Sequence, residues 1–174
     1  GLFEVLYIFL QAARGRESHF NNSTPIESIM YGLMGVGAVI LVVGSFYLGY
    51  LLFREYQQEY QSKRNNLLLL SSALGLTIGS VLTLVIASYL SSGETGYSIN
   101  TNTENVMRLP IFSWYLNGDD LRIPHFFATH MMQFFPLCGL WLTRKKVSFT
   151  VEKARLLCGT GIYTSLVLLL FAIA

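Results

Sequence analysis

The sequence predicts an all-α fold, a polytopic transmembrane helix bundle with four full spans, a partial N-terminal helix and an ordered outer loop. Its mean hydropathy is +0.47, and only 13% of the 174 residues are charged, against roughly 25% in an average globular chain. The apolar residues also form four long blocks, each long enough for a membrane-crossing helix, which takes about 17–25 residues. These blocks are 29–53, 65–92, 123–143 and 156–174.

The first segment, residues 1–13, is apolar apart from Glu4 and Gln11. At about 1.5 Å per residue it extends roughly 20 Å, less than the ~30 Å hydrocarbon core, so we expect only part of a spanning helix. The chain also opens without Met inside this apolar segment, and we therefore expect upstream sequence in the native protein. Glu4 is a candidate intramembrane acid, which must be paired, protonated or facing a cavity unless the segment lies at the interface.

The second helix is predicted over residues 25–53. Thr24 is a suitable N-cap, Pro25 fits the first helical position, and Glu27 completes a capping box. Glycine is costly in a water-exposed helix but common in membrane helices, where it permits close approach of two backbones. The glycines along this helix therefore indicate helix contacts, and they are Gly32, Gly35, Gly37, Gly44 and Gly49.

The third helix, predicted over residues 65–90, has small residues at four-residue steps. These residues are Ser71, Gly75 and Gly79. A small-xxx-small pattern lets two membrane helices pack closely, so we interpret this face as a helix contact rather than a ligand site.

The fourth helix is predicted over residues 124–142 and the fifth over residues 152–174. Pro136 lies inside the fourth helix, where it removes one backbone hydrogen bond and indicates a kink. Asp120 and Arg122 precede this helix, and we expect them to pair with each other or with charged residues of the first outer loop.

The distribution of lysine and arginine predicts the orientation of the helices. The loops 54–64 and 143–151, together with the first turns of the last helix, carry eight of the 12 basic residues, and the loops 14–24 and 91–123 carry four. Cytoplasmic loops of membrane proteins carry the excess of positive charge, so the first pair is predicted to be cytoplasmic and the second external. The long loop 91–123 is rich in apolar residues, and we expect an ordered cap over the outer helix ends.

Charge and motifs argue against several function classes. The formal net charge is only +2 and the basic residues flank the predicted helices, so the sequence does not indicate a nucleic-acid partner. The two cysteines, Cys138 and Cys158, are too few for a disulfide framework. The chain contains no G-x-S-x-G nucleophile motif and no cysteine beside a histidine, so the sequence favours no enzymatic activity.

All three histidines fall on the predicted outer side. His19 lies in the first outer loop, and His125 and His130 lie near the start of the fourth helix. Together with Arg122 and Gln133, they are interpreted as the lining of a polar pocket at the outer leaflet. An ionisable residue inside the membrane is a functional candidate by default, because its desolvation is costly.

The spacing of the histidines argues against a tight two-ligand grip. His125 and His130 are five residues apart and differ by about 140° around the helix axis, whereas a shared metal ion favours i,i+3 or i,i+4 spacing. Three roles are open for His130: a hydrogen bond between helices, metal or haem ligation, or a proton or substrate path. His125 is a candidate for solvated anchoring at the interface, and His19 for packing under the outer surface.

Two segments resemble sequence patterns of an uncharacterised bacterial family of multi-pass membrane proteins. Residues 118–137, GDDLRIPHFFATHMMQFFPL, resemble G-D-L-R-x-x-H-F-x-G-L-H-x-x-Q-x-x-P-L, and residues 14–21, RGRESHFN, resemble R-G-x-x-S-H-F-N. The chain departs from the first pattern by an additional Asp and by Ala128 and Thr129 in place of Gly and Leu. The resemblance implies a location in the bacterial cytoplasmic membrane and implies no activity. The matched positions are Arg14, Ser18, His19, Arg122, His125, His130, Gln133 and Pro136.

The sequence leaves three functions open for this lipid-embedded chain. In the first, the outer polar pocket binds haem, a metal ion held by the three histidines, or a small polar ligand. In the second, the protein is a non-catalytic structural or accessory subunit that packs against a membrane-protein partner or a second copy of itself. In the third, it is a transporter or channel, which Glu4 and the expected kink at Pro136 favour, although the sequence has no inverted repeat.

Overall fold

The computed structural model confirms the all-α prediction. Within the described residues there are five α-helices and, apart from one isolated bridge, no β-structure. The helices are α1 (Leu2–Ala13), α2 (Pro25–Tyr56), α3 (Lys63–Ser92), α4 (Arg122–Leu142) and α5 (Phe149–Ile173). The structure describes residues 2–19, 21, 23–58, 63–92, 107–112, 114–115, 120–144 and 148–174, so most of the predicted outer loop 91–123 lies outside the described residues.

Three helices in the described part of the chain are long and apolar enough to cross a membrane, which suggests a multi-pass membrane protein. They are α2, α3 over Asn66–Ser92, and α5. The predicted fourth full span is not confirmed, because two histidines, Gln133 and Pro136 lower the hydropathy of the 21-residue helix α4. Helix α1 is apolar but has only 12 residues.

The helix ends lie within three residues of the predicted ones. Helix α4 begins at Arg122, two residues earlier than predicted, because Pro124 falls in the first turn, where a backbone N–H would have no partner within the helix. The N-cap predicted at Thr24 is confirmed: the backbone N of Glu27 donates to Thr24 Oγ1 (3.2 Å), and this hydroxyl donates to Glu27 Oε2 (3.0 Å). The kink at Pro136 stays a prediction.

The chain divides into two compact units, Gly1–Val43 and Gly44–Ala174. The first unit contains α1 and the N-terminal part of α2, and the second contains the rest of α2 with α3, α4 and α5. In the second unit α3 is the central helix, since half of its apolar window is buried against 17% for α5. A single bundle over residues 1–174 stays a prediction. The core cluster of the second unit comprises Leu67, Leu70, Leu82, Ile86, Ala128, Met131, Phe135, Leu142, Leu156 and Val167.

The small-residue face of α3 packs closely against α4, as the four-residue pattern predicts. A Cβ added to Gly75 would lie 2.8 Å from the carbonyl O of Met131, and one added to Gly79 would lie 3.2 Å from Met131 Cβ. At the other end of the contact, a Cβ on Gly139 of α4 would overlap Ser71 Oγ. Side chains larger than hydrogen at these glycines would force the two helices apart.

The glycines of α2 behave differently from those of α3. A Cβ on Gly49 would lie 2.9 Å from Leu76 Cβ and Thr77 Cγ2, so this glycine forms the predicted helix contact within the second unit. The other four glycines of α2 have no described atom within 4 Å of such a Cβ. The expectation of close contacts along α2 is therefore confirmed at one position, and the remaining glycines lie on open surface.

Candidate functional site

A buried polar network joins α1 to the start of α2 in the first unit. The side chain of Gln11 is fully buried, and its Nε2 donates to Tyr7 Oη (3.1 Å), to the carbonyl O of Glu17 (3.3 Å) and to Glu27 Oε1 (3.3 Å). Glu27 Oε1 also accepts a hydrogen bond from Arg16 Nη1 (3.0 Å). These contacts hold the connection between α1 and α2 in one conformation.

His19 lies on this connection with its side chain exposed. Its Nδ1 is 2.9 Å from Ser18 Oγ, and its ring meets the ring of Tyr31 edge to face, with 6.4 Å between centroids. Since Nδ1 is engaged by Ser18, Nε2 is the nitrogen available to a ligand. The structure therefore supports an exposed imidazole rather than the expected histidine packed under the surface.

In the second unit, residues 107–112, 114 and 115 form a hairpin-like turn ahead of α4. Arg108 pairs with Tyr115 in an antiparallel bridge, and the backbone N of Leu109 donates to the carbonyl O of Trp114 (2.8 Å). We call this segment, of which residues 107–112, 114 and 115 are described, the Trp114 hairpin. It brings an aromatic pair, Trp114 and Tyr115, to the first turn of α4.

Asp120 connects the Trp114 hairpin to α4 through hydrogen bonds. Its buried carboxylate accepts hydrogen bonds from the backbone N of Tyr115 (2.8 Å), from Arg122 Nε (2.8 Å) and from Arg122 Nη2 (2.7 Å). The expected local pairing of Asp120 with Arg122 is therefore confirmed. This ion pair occupies the Arg122 guanidinium, which the sequence predicted to line a ligand pocket.

His125 lies on the inner side of α4 and is partly buried. Its Nδ1 is fully buried and has no hydrogen-bond partner among the described residues. The interpretation of His125 as a solvated anchor is therefore not supported by its surroundings. A buried nitrogen without a partner can still form one hydrogen bond, to a water molecule or to a ligand atom.

His130 and Gln133 lie on the exposed face of α4. They are three residues apart, so their side chains are neighbours on the helix surface. The ring of Phe126 meets the ring of His130 with 4.1 Å between centroids, and the exposed Phe134 continues the same face. We call the face formed by Phe126, His130, Gln133 and Phe134 the polar–aromatic face of α4.

Hydrogen bonds from α4 to its neighbours do not involve His130 in the described part of the chain. Thr83 Oγ1 of α3 donates to Thr129 Oγ1 (3.3 Å), and Tyr163 Oη of α5 donates to the carbonyl O of Phe127 (3.0 Å). These two bonds connect three helices of the second unit. In the described part of the chain, the hydrogen bonds between helices are therefore formed by Thr83 and Tyr163 rather than by His130.

The five residues predicted to line one pocket belong to different surroundings. His19 lies in the first unit, Arg122 pairs with Asp120, and His125 and His130 point to different sides of α4, as their spacing predicts. Among the described residues, no three histidine, cysteine or carboxylate side chains are grouped to hold a metal ion. One pocket lined by all five residues stays a prediction.

A small cavity lies beside Asp120, between the start of α4 and the end of α5. Its volume is about 150 Å³, and its lining includes Tyr115, Pro124 and Leu170. Because the Asp120 carboxylate is already hydrogen-bonded to the hairpin and to Arg122, the cavity offers mainly apolar surface. None of its lining residues is a histidine.

Two features of these sites were missed by sequence reasoning. The network around Gln11 was signalled only by one amide in an apolar helix. Glu152, at the start of α5, is 1% exposed, with Oε1 bonded to Arg155 Nη1 (3.1 Å) and Oε2 buried without a partner among the described residues. In the sequence, Glu152 resembles any acidic residue in a first helical turn, so nothing marked it as buried.

Comparison with protein-family models, curated proteins and solved structures finds no match. The resemblance to the bacterial membrane family therefore stays an expectation.

Proposed function

We propose that this protein is an integral membrane protein that binds a membrane-soluble ligand with a polar headgroup through His130 and Gln133. The supporting observation is that both side chains are exposed on one face of α4, three residues apart. A polar side chain exposed to hydrocarbon lacks a hydrogen-bond partner and is costly there unless another polar group meets it. A ligand headgroup at this depth supplies that group.

The proposal takes α4 as the fourth span, with its N-terminal end at the outer leaflet. Its 21 residues extend roughly 31 Å at about 1.5 Å per residue, which is sufficient for the ~30 Å hydrocarbon core. His130 then lies about 12 Å along the helix from Arg122, inside the outer leaflet. Loops 14–24 and 91–123 are external and loops 54–64 and 143–151 cytoplasmic, and the family resemblance favours the bacterial cytoplasmic membrane.

The chemistry of the polar–aromatic face favours a planar headgroup. Imidazole and carboxamide groups both donate and accept hydrogen bonds, and the rings of Phe126 and Phe134 supply flat apolar surfaces beside them. A quinone-like headgroup and haem both have this shape, and the imidazole of His130 would hold the iron of a bound haem. The described residues offer no group of three histidine, cysteine or carboxylate side chains for a bare metal ion, so the proposal favours the planar headgroup.

The test is to purify the full chain in mild detergent and record absorbance spectra before and after dithionite reduction. A Soret band that shifts on reduction identifies haem. A quinone has no such band, so it is tested by titration with a short-chain benzoquinone, and binding is measured as quenching of tryptophan fluorescence. We expect His130→Ala and Gln133→Leu each to weaken binding at least tenfold, because each removes a hydrogen-bonding group.

Cys158→Ala is the matched control, since Cys158 is an exposed residue of α5 outside the polar–aromatic face. It should bind as the wild type does. If the wild type shows no Soret band and no quinone quenching, or if His130→Ala and Gln133→Leu bind normally, the ligand site is not on this face.

A subunit role is the second candidate, because of the open glycine positions of α2. Gly32, Gly35 and Gly37 have no described atom within 4 Å of an added Cβ, and glycine surfaces of this kind allow another membrane helix to approach closely. A partner subunit or a second copy would then cover α2. Mass measurement of the complex extracted in native lipid discs tests this, and a bare monomer would contradict it.

A further inference from the structure

We propose that the Trp114 hairpin is an interfacial anchor, whose apolar tip inserts between phospholipids of the leaflet at the N-terminal end of α4. The partner is the phospholipid itself: acyl chains for the tip and phosphate for Arg108. This inference does not depend on the identity of any ligand at His130.

The first observation is the apolar tip of the hairpin. Ile111 is 90% exposed, Met107 66% and Phe112 51%. Ile111 and Phe112 lie at the turn, whereas Met107 lies beside the bridge at the base. Large apolar side chains exposed at a turn are unusual on a water-facing loop, where polar turn residues prevail. Their chemistry fits the boundary between headgroups and acyl chains.

The second observation is that the tip is held in place before any lipid binds. The Asp120 carboxylate connects the backbone of Tyr115 to Arg122 in the first turn of α4. The ring of Trp114 stacks on Phe112, with 4.7 Å between centroids, and meets Phe126 of α4 edge to face at 5.2 Å. The hairpin is thereby fixed to α4, and little conformational freedom remains to be lost on insertion.

The third observation locates the hairpin at a membrane surface. Tyr89 near the end of α3 and Phe171 near the end of α5 have ring centroids 5.2 Å apart, so these two apolar helices end at the same level. The cavity beside Asp120 is lined by both Pro124 and Leu170, which brings the start of α4 to that level as well. The hairpin is joined to the first turn of α4 through Asp120 and therefore lies where two candidate spans leave the hydrocarbon.

The fourth observation is the charge and aromatic character of the hairpin base. The exposed Arg108 has its guanidinium carbon 5.1 Å from the centroid of the Tyr115 ring. Tryptophan and tyrosine are enriched at membrane–water interfaces, and arginine forms charge-assisted hydrogen bonds with phosphate. An apolar tip with aromatic residues and one cation at its base matches the order of acyl chain, interface and phosphate.

The experiment uses tryptophan fluorescence of the full chain in phosphatidylcholine vesicles. The chain has two tryptophans, so Trp141→Phe leaves Trp114 alone, and Trp114→Phe leaves Trp141 as the control for lipid access. We expect Trp114 to show blue-shifted emission and to be quenched at least twofold more strongly by phospholipids brominated near the headgroup than by those brominated near the chain end.

Quenching of Trp114 by aqueous acrylamide but by neither bromolipid would mean that the hairpin lies in water. Resistance to all three quenchers would mean that a protein surface covers it. Either result overturns the proposal.

A second pair of variants tests the tip in the Trp141→Phe background. Ile111→Ser with Phe112→Ser should reduce the shallow bromolipid quenching of Trp114 at least twofold, because the apolar tip is removed. Ser88→Ala is the control, because Ser88 is an exposed residue near the end of α3. It should leave the quenching unchanged. Unchanged quenching in the tip variant, with helix content by circular dichroism as in the wild type, would exclude the tip as the anchor.

Discussion

At the residue scale, single buried polar side chains hold the connections between helices. Gln11 and Glu27 join the two helices of the first unit, and Asp120 joins the Trp114 hairpin to α4. Each of these residues is at most 4% exposed, and its side chain is hydrogen-bonded to more than one partner. Removal of such a group leaves its buried partners without a hydrogen bond. The desolvation of these partners is then uncompensated, which lowers the free energy of unfolding.

We predict that Asp120→Asn destabilises the protein by about 1–3 kcal/mol, since the near-isosteric amide cannot accept all the donors that the carboxylate satisfies. The lower end of this range reflects the Arg122 side chain, which is 27% exposed and partly rehydrated in the variant. Thermal unfolding in detergent measures the loss.

Arg122→Gln and the double variant complete a mutant cycle. The two single effects should sum to clearly more than the double effect, because Asp120 and Arg122 contact each other directly. If the two single effects sum to the double effect, Asp120 and Arg122 do not stabilise each other. The proposed connection of the hairpin to α4 through this ion pair would then be wrong.

At the element scale, the contact between α3 and α4 organises the second unit. Glycines on both helices bring the backbones together, and hydrogen bonds from Thr83 and Tyr163 add polar contacts to α4. In a membrane such contacts replace the hydrophobic effect, since lipid chains are as apolar as leucine. Helix α4, which is not among the three candidate spans, is therefore held against α3, while its polar–aromatic face remains exposed.

We predict that Gly75→Leu destabilises the second unit by about 1–3 kcal/mol, because even its Cβ would be 2.8 Å from Met131 O and Phe135 Cβ. Gly161→Leu is the matched control, since a Cβ at Gly161 of α5 has no described atom within 4 Å. Both changes replace glycine by leucine within a helix, so propensity effects cancel in the comparison. Thermal unfolding of the two variants in the same detergent should separate them, and equal stabilities would contradict the close contact.

At the scale of the whole molecule, the number of membrane crossings depends on α4. Helices α2, α3 and α5 are apolar enough to cross on composition alone, whereas α4 carries two histidines and Gln133. A spanning α4 would place residues 91 and 148 on opposite sides of the membrane. The positive-inside distribution makes the same prediction.

We predict this topology for single cysteines in a background with Cys138→Ala and Cys158→Ala. Ser23→Cys and Ser91→Cys should react with a membrane-impermeant maleimide in intact cells, because loops 14–24 and 91–123 are predicted to be external. Gln58→Cys and Ser148→Cys should react only after the cells are opened, because loops 54–64 and 143–151 are predicted to be cytoplasmic. Labelling of residues 91 and 148 from the same side would show that α4 does not cross.

Part of the site was predictable and part was not. The angle between His125 and His130 follows from their five-residue spacing, and they lie on different sides of α4 as expected. Which of those sides is covered depends on α3 and α5, so spacing could not predict that His130 and Gln133 are exposed. The contact of Asp120 with the backbone of Tyr115 was equally hidden, because it depends on the path of a loop.

The sequence by itself determined the all-α class, three of the four predicted spans as membrane-competent helices, the helix ends to within three residues, and the contact face of α3. These properties depend on composition, on periodicity and on capping residues such as Thr24, all of which act over a few neighbouring positions. Only the tertiary structure decided which polar groups meet. Gln11 and Glu27 are 16 residues apart, and their contact exists because α1 turns back beside the start of α2. Helical periodicity relates residues on one helix, whereas burial is set by the helix that packs against it.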